Sequence, residues 1–457
     1  MDVYNQFFSL IGLIFYIFSI FISILLVSSS KKDKYSFKNL TPIFFILIVA
    51  LYVLPLSLFN FSQSNPIGDI SPQFFSFSQY IPYANILCAV FNITFVFFYK
   101  KFTLFKCYSM TVNTQNRIKR YEYYIIFLLL IISIFMLFQL SREVGGFLNL
   151  ILSGYGVTNL FVGKNHYAVG FEWIVSLSII LWGNVLSIKN KKYIYIYMVL
   201  ILILSIIFFI MGRRAVLVIL IGTSVLLYYQ LYKRISIFKL LSLFSLCFYL
   251  LTLNGFLRGD SYENFSSLST TLYEKKQNID NESLNYFYTL TSGNFAVPYE
   301  TLPQIVKSLG VDYNLGLGKY SFGPISAIIP NVLWPDRPLP LSNWYMATFY
   351  DVKRLNEGRQ FFLLTAPYMD FGPAGVILIG IFFAYFWANI VKRGIKYHDD
   401  VLVTILIALV FSNTLNMVSN DFLGWAVAFF KGYGFPVIIL LLIRKIKSNI
   451  KYYLKLR

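Results

Sequence analysis

The sequence predicts an all-α integral membrane protein, a bundle of about eleven transmembrane helices with one large extracytoplasmic loop. Three observations lead there. Of 457 residues, 57% are hydrophobic and only 13% are charged, against about 25% charged in soluble domains. The mean hydropathy is +0.65. Apolar runs of 18 residues or more recur along the chain, each long enough to cross about 30 Å of hydrocarbon as a helix. Together they exclude a soluble enzyme, a secreted disulfide scaffold and a disordered hub.

The runs place spans near 7–27, 41–59, 81–99, 123–140, 171–188, 193–211, 215–232, 236–253, 371–391, 401–419 and 425–443. On this reading 1–253 is an N-terminal bundle of eight spans and 254–370 is the loop. Residues 371–457 hold three further spans and a basic tail. The loop mixes Asn, Ser, Tyr, Pro and Gly with apolar stretches such as Tyr320–Trp334, a pattern expected to fold against the membrane surface.

Charge sets the orientation. The formal net charge is +19, and the excess is distributed by membrane side, which makes a nucleic-acid partner unnecessary. Alternate loops and the C-terminal tail carry 25 Lys and Arg with four acids, Asp33, Glu122, Asp399 and Asp400. The positive-inside bias then puts the C-terminus in the cytoplasm and the N-terminus outside. No Lys or Arg precedes the first run, so it reads as a retained span and not a secretory signal. Cys88, Cys107 and Cys247 offer no loop pair and no metal-ligand spacing.

Outer-face cations oppose that bias and need a reason. Arg213 and Arg214 fall in the tight connection after the sixth span, Arg258 follows the eighth, and Arg337 and Arg359 lie in the loop. Guanidinium forks suit phosphate oxygens, whereas snorkelling to lipid head groups is the bland account. Asp260, Glu300, Asp336 and Asp370 are outer-face carboxylates, any of which could accept a proton from a sugar hydroxyl. His166 is the one outer-face histidine. Within the spans, Asn413, Asn416 and Asn420 are spaced to share one helix face toward the bundle interior. Lys431 lies inside the last run beside Gly432, Gly434 and Pro436, residues able to break a helix.

Absent motifs narrow the chemistry. Gly156 to Lys164 has the wrong spacing for a phosphate loop, and no dinucleotide fingerprint, HExxH or DxD pair occurs. No metal or cofactor is therefore expected, and a lipid-linked donor fits an outer-face site better than a nucleotide sugar.

Two loop segments carry a resemblance. Gly316-Leu317-Gly318 followed by Ile329-Pro330-Asn331-Val332-Leu333-Trp334-Pro335-Asp336-Arg337-Pro338 resembles a signature of Wzy-type O-antigen (oligosaccharide repeat-unit) polymerases. Tyr368-Met369-Asp370-Phe371-Gly372-Pro373-Ala374-Gly375 resembles that family's lead into the following span. Gly145-Gly146-Phe147 and Gly212-Arg213-Arg214 resemble two upstream features.

The resemblance implies a C-type glycosyltransferase-like bundle in the bacterial inner membrane, polymerising repeat units from undecaprenyl pyrophosphate for lipopolysaccharide or related glycans. It implies a chain-length-determining co-polymerase and a flippase as possible partners, and no metal or nucleotide. Arg213, Arg214 and Arg258 would meet the departing pyrophosphate, and Arg337 and Arg359 would clamp substrate. Asp260 or Asp370 would be base or sugar-hydroxyl anchor, and Trp334 and Trp344 would stack on sugars. The family often shows twelve or more spans with both ends inside, whereas eleven are counted here. A lipid-linked oligosaccharide flippase or transporter, and an O-antigen ligase sharing the same donor, are the alternatives.

Overall fold

A computed structural model describes residues 3–28, 37–62, 74–104, 117–152, 165–233, 296–329, 334, 340–350, 360–397 and 400–455. Its principal helices are α1 (Val3–Ser28), α2 (Phe37–Ser62), α3 (Ile81–Leu104), α4 (Arg120–Glu143), α5 (Asn165–Ile188) and α6 (Lys191–Ile210). They continue as α7 (Arg214–Leu227), α8 (Val297–Ser308), α9 (Leu341–Phe349), α10 (Thr365–Phe371) and α11 (Pro373–Lys396). The last four are α12 (Val401–Ser412), α13 (Thr414–Val418), α14 (Phe422–Lys431) and α15 (Gly434–Lys455). Among the described residues no strand forms, and the one β-bridge is isolated between Leu309 and Tyr313.

Among the described residues, eight helical segments are long and apolar enough to cross a membrane: α1 to α6, α7 with its continuation to Tyr232, and α11, with α14 and α15 a ninth if the bent pair is one span. The first seven expected spans and the ninth therefore have helices at their places, and the eighth, 236–253, lies outside the described residues. The exposed faces fit a lipid environment. In α6, Tyr195, Val199, Leu202 and Ile206 are each at least half exposed, a stripe too apolar for a water-facing helix.

The tenth and eleventh spans depart from expectation. The tenth is interrupted at Asn413, where α12 stops and the short α13 begins. Asn413, Asn416 and Asn420 therefore do not share one continuous helix face; the Asn420 amide donates instead to the Asn416 carbonyl at 2.7 Å. The eleventh bends by 67° between α14 and α15. Pro436 supplies the reason: in a continuous helix it has no N–H to donate to the carbonyl four residues earlier, at Gly432, and its ring would collide with that carbonyl.

The chain packs as two compact units. The first comprises Met1–Ser109, Glu282–Arg393 and Thr414–Val427, the second Met110–Asn281, Gly394–Asn413 and Ala428–Arg457. In the first, Phe45, Phe91, Phe95, Phe383 and Trp387 form an aromatic core, with Phe45 stacked on Phe383 at 5.4 Å. Hydrogen bonds replace water for its polar groups: Asn60 to Ser9, Asn92 to Ser19, and Ser57 to Asn85. Helix α8 belongs to the long loop expected at 254–370 yet is almost wholly buried. Its Tyr299 hydroxyl donates to Asn85 at 2.7 Å, so α8 sits where α2 ends and α3 begins.

In the second unit, α5 is central. The Trp182 indole donates to the Ser224 carbonyl of α7. At the opposite end of α5 from Phe171, the Asn184 amide bonds the Tyr123 hydroxyl of α4.

Candidate functional site

The corner between α6 and α7 is built by its sequence. Gly212 adopts φ +66°, the left-handed conformation that glycine takes without a side-chain penalty. Gly212 N–H then donates to the Phe209 carbonyl and Arg213 N–H to the Phe208 carbonyl, a Schellman closure of α6. Arg213 and Arg214 follow at once, placing two guanidiniums at the start of α7. The N-terminal end of a helix carries partial positive charge, so cations there are unfavourable unless an anion joins them.

Arg213 lies with its guanidinium carbon 4.4 Å from the centre of the Phe171 ring, a cation–π contact that fixes its plane. Phe171 is itself held edge-on by Phe208 at 6.0 Å. The next residue, Glu172, is attracted electrostatically to Arg213. Its carboxylate occupies the space against Gly432, where an added β-carbon would fall 1.7 Å from the carboxylate oxygen.

The break between α14 and α15 is stitched to this place on α5. The Trp173 indole donates to the Lys431 carbonyl at 3.0 Å, and the Ser176 hydroxyl to the Tyr433 carbonyl at 2.7 Å. Trp173 also stacks on Phe435 at 4.8 Å. The carbonyls freed by the interruption are thus satisfied, as non-helical backbone at membrane depth requires. Lys431 ends α14 with its side chain exposed, and Tyr433 is buried near both Glu172 and Arg213.

The first unit holds the other candidate residues. Asp370 is fully buried and accepts from the Tyr320 N–H at 3.0 Å and the Ser321 N–H at 2.6 Å. Both of its oxygens therefore serve backbone amides, and the carboxylate fastens the turn at 316–322 to α10. Burial and the neighbouring Asp370 push the Tyr320 phenol above its ordinary value. Glu300 is buried in α8 and accepts from the Tyr350 hydroxyl at 2.8 Å and more weakly from Tyr345. The Thr301 and Thr365 hydroxyls bond each other at 2.9 Å, tying α8 to α10. An aromatic cluster of Tyr313, Tyr320, Trp344 and Phe349 covers this part, and Trp334 is 41% exposed.

Arg258, Asp260, Asp336, Arg337 and Arg359 lie outside the described residues, as does the side chain of His166. Of the expected phosphate- and sugar-binding residues, Trp334 and the sequence neighbours Arg213 and Arg214, at the start of α7, are among the described residues.

Two groups escaped the sequence reading. Glu172 is a lone acid inside a span, which is by itself a functional signal; its partner was invisible because Arg213 is 41 residues away. The second is a buried ion cluster. Arg444, counted above as part of a basic tail, is only 8% exposed. Its guanidinium donates to Glu122 at 2.7 and 2.8 Å and to Asp400 at 2.9 and 3.0 Å. Glu122 also accepts the Lys119 N–H, and Asp400 accepts from Leu402 and Val403. Both carboxylates therefore cap helix N-termini, α4 and α12, whose dipoles help to balance the second negative charge.

The described residues define a multi-pass, all-helical membrane protein with ionisable groups held at helix ends and at a helix break. Comparison with known protein families, curated proteins and solved structures finds no match.

Proposed function

We propose that this protein polymerises lipid-linked oligosaccharide repeat units into a surface polysaccharide by glycosyl transfer from undecaprenyl pyrophosphate. The observation that carries the reading is the Arg213–Arg214 corner, two cations at a helix N-terminus with one stacked on Phe171. In the reaction, an acceptor sugar hydroxyl forms the new bond to the donor anomeric carbon. The bond to pyrophosphate breaks and its electron pair leaves on the phosphate oxygen, while the hydroxyl proton passes to a carboxylate. Arg213, Arg214 and Arg258 stabilise the charge that develops on the leaving group, and Arg337 and Arg359 hold the substrate. Asp260 is the better base of the two considered, because both oxygens of Asp370 are engaged by amides. Trp334, exposed, is available to stack on a sugar face. The enzyme works in the bacterial inner membrane with its site on the outer face, and takes a co-polymerase for chain length.

A second reading is favoured by a specific observation. A 67° break in a span, packed against Glu172 and Arg213, is the kind of element on which transporters build substrate sites. A flippase for the same lipid-linked oligosaccharide therefore stands as the alternative, ahead of an O-antigen ligase.

The test is surface-polysaccharide banding in a strain lacking this chain, complemented at equal membrane abundance. The proposal expects single-repeat glycans on deletion, and no ladder with Arg213→Ala or Arg258→Ala. Loss of even the single capped unit on deletion points to the flippase or ligase. A full ladder with both variants removes the arginines from the mechanism.

A further inference from the structure

Residues 311–329 turn back onto the end of α10, just ahead of α11. Gly316 N–H donates to the Met369 carbonyl at 3.0 Å and Leu317 N–H to the Asp370 carbonyl at 3.1 Å. These contacts fall three to four residues before Pro373, where a membrane-length apolar helix begins. The turn is therefore tied to the chain just ahead of a membrane-length helix.

Its side chains do not suit water. Val311 is 83% exposed, Leu317 78% and Phe322 62%, with Leu315, Ile325 and Ile329 also exposed. Leu317 is the telling residue. It stands at φ +49°, in the left-handed region where glycine or asparagine is normal and a branched apolar side chain is disfavoured. The backbone is thus strained at the residue that also presents its apolar side chain outward. In water both features are costs; among acyl chains the exposure becomes favourable burial. The helix that follows, α11, likewise exposes Ile377, Leu378 and Phe382. Lys319, exposed between Leu317 and Phe322 and 5.8 Å from the centre of the Tyr320 ring, adds a cation to this face.

We propose that the 311–329 turn is immersed in the interfacial layer of the bilayer, with Leu317 and Phe322 inserted among acyl chains and Lys319 at the lipid phosphates. Lipid is the occupant because the turn is bonded to α10 immediately ahead of a membrane-length helix, and both the turn and that helix expose large apolar side chains. Asp370, which fastens the same turn, is then a residue that couples bilayer depth to the position of α10. The inference does not depend on the glycosyl-transfer chemistry.

The full chain, with Cys88→Ala, Cys107→Ser and Cys247→Ser, is reconstituted in nanodiscs of phosphatidylcholine and phosphatidylglycerol. Nitroxides are placed one at a time at Leu317→Cys and Phe322→Cys. Immersion predicts that oxygen relaxes both labels several-fold more strongly than a water-soluble nickel complex does. Spin-labelled lipids should rank both positions just below the phosphates. Strong nickel relaxation at both positions overturns the proposal. Dipolar broadening between labels on two chains also overturns it, because the face would then be covered by a second copy.

Discussion

Asp421 shows how one residue couples membrane-edge burial to pH. It precedes α14, accepts the Gly424 N–H, and burial raises its carboxyl from 3.8 to about 6. A raised folded-state pKa means that the folded protein holds the proton more tightly than the unfolded chain. The stabilisation is complete below about pH 4 and is lost as pH rises through about 6, a swing of roughly 3 kcal/mol at most. Asp421→Asn keeps an oxygen for Gly424 and removes the titration. Thermal unfolding in detergent should show the variant gaining on the wild type between pH 5 and pH 8; parallel profiles would show that Asp421 is not the group responsible. Gly375 makes a different residue-scale demand. A β-carbon there would lie 1.9 Å from the Pro367 carbonyl oxygen, a backbone atom that cannot swing aside. Gly375→Ala is expected to cost about 3 kcal/mol or more, read as a large drop in monodisperse protein on size exclusion. An unchanged melting profile would mean that α10 and α11 are not so closely packed.

Between helices, the decisive device is the Glu122–Arg444–Asp400 cluster. It binds the N-termini of α4 and α12 to the middle of α15 through four side-chain hydrogen bonds. Removing the cation leaves two buried carboxylates facing each other, so Arg444→Gln should destabilise by about 3–5 kcal/mol. Arg444→Lys should recover little, because an ammonium cannot make both bidentate contacts. The triple variant with Glu122→Gln and Asp400→Asn should recover much of the loss, since the amide groups still cap their helices. Melting temperatures of the single and triple variants check this, and equal losses in both would assign the effect to packing alone. The clamp was hidden in the sequence for a physical reason. Its three members lie far apart along the chain, and each has an ordinary reading as a loop acid or tail base. The α14–α15 break was partly legible, because Gly432, Gly434 and Pro436 mark it. The bonds from Trp173 and Ser176 that hold it were not, since they depend on which helix is its neighbour.

At the scale of the whole molecule, alternation of loop charge predicts the topology. Cysteine-labelling in intact cells and inverted vesicles should place Lys189 and Lys445 in the cytoplasm and Asp312 outside. Lys233 and Asp312 on the same side would mean that the region 236–253 does not cross. Such an outcome would also move the 311–329 turn to the inner leaflet and end the outer-face reading of the site.

The sequence by itself determined that this is an all-helical, multi-pass membrane protein. Span-length apolar runs have no other stable solution in hydrocarbon, where each backbone polar group must be bonded within its own segment. It also marked the Gly212–Arg213–Arg214 corner and the helix-breaking run at 432–436, because turns and breaks are local and use particular residue types. Only the tertiary structure decided which charges meet. The Arg213–Phe171–Glu172 group, the occupation of both Asp370 oxygens and the burial of Arg444 each join residues distant in the chain. In an apolar bundle a polar side chain takes its role from the partner that replaces water, and packing alone chooses that partner.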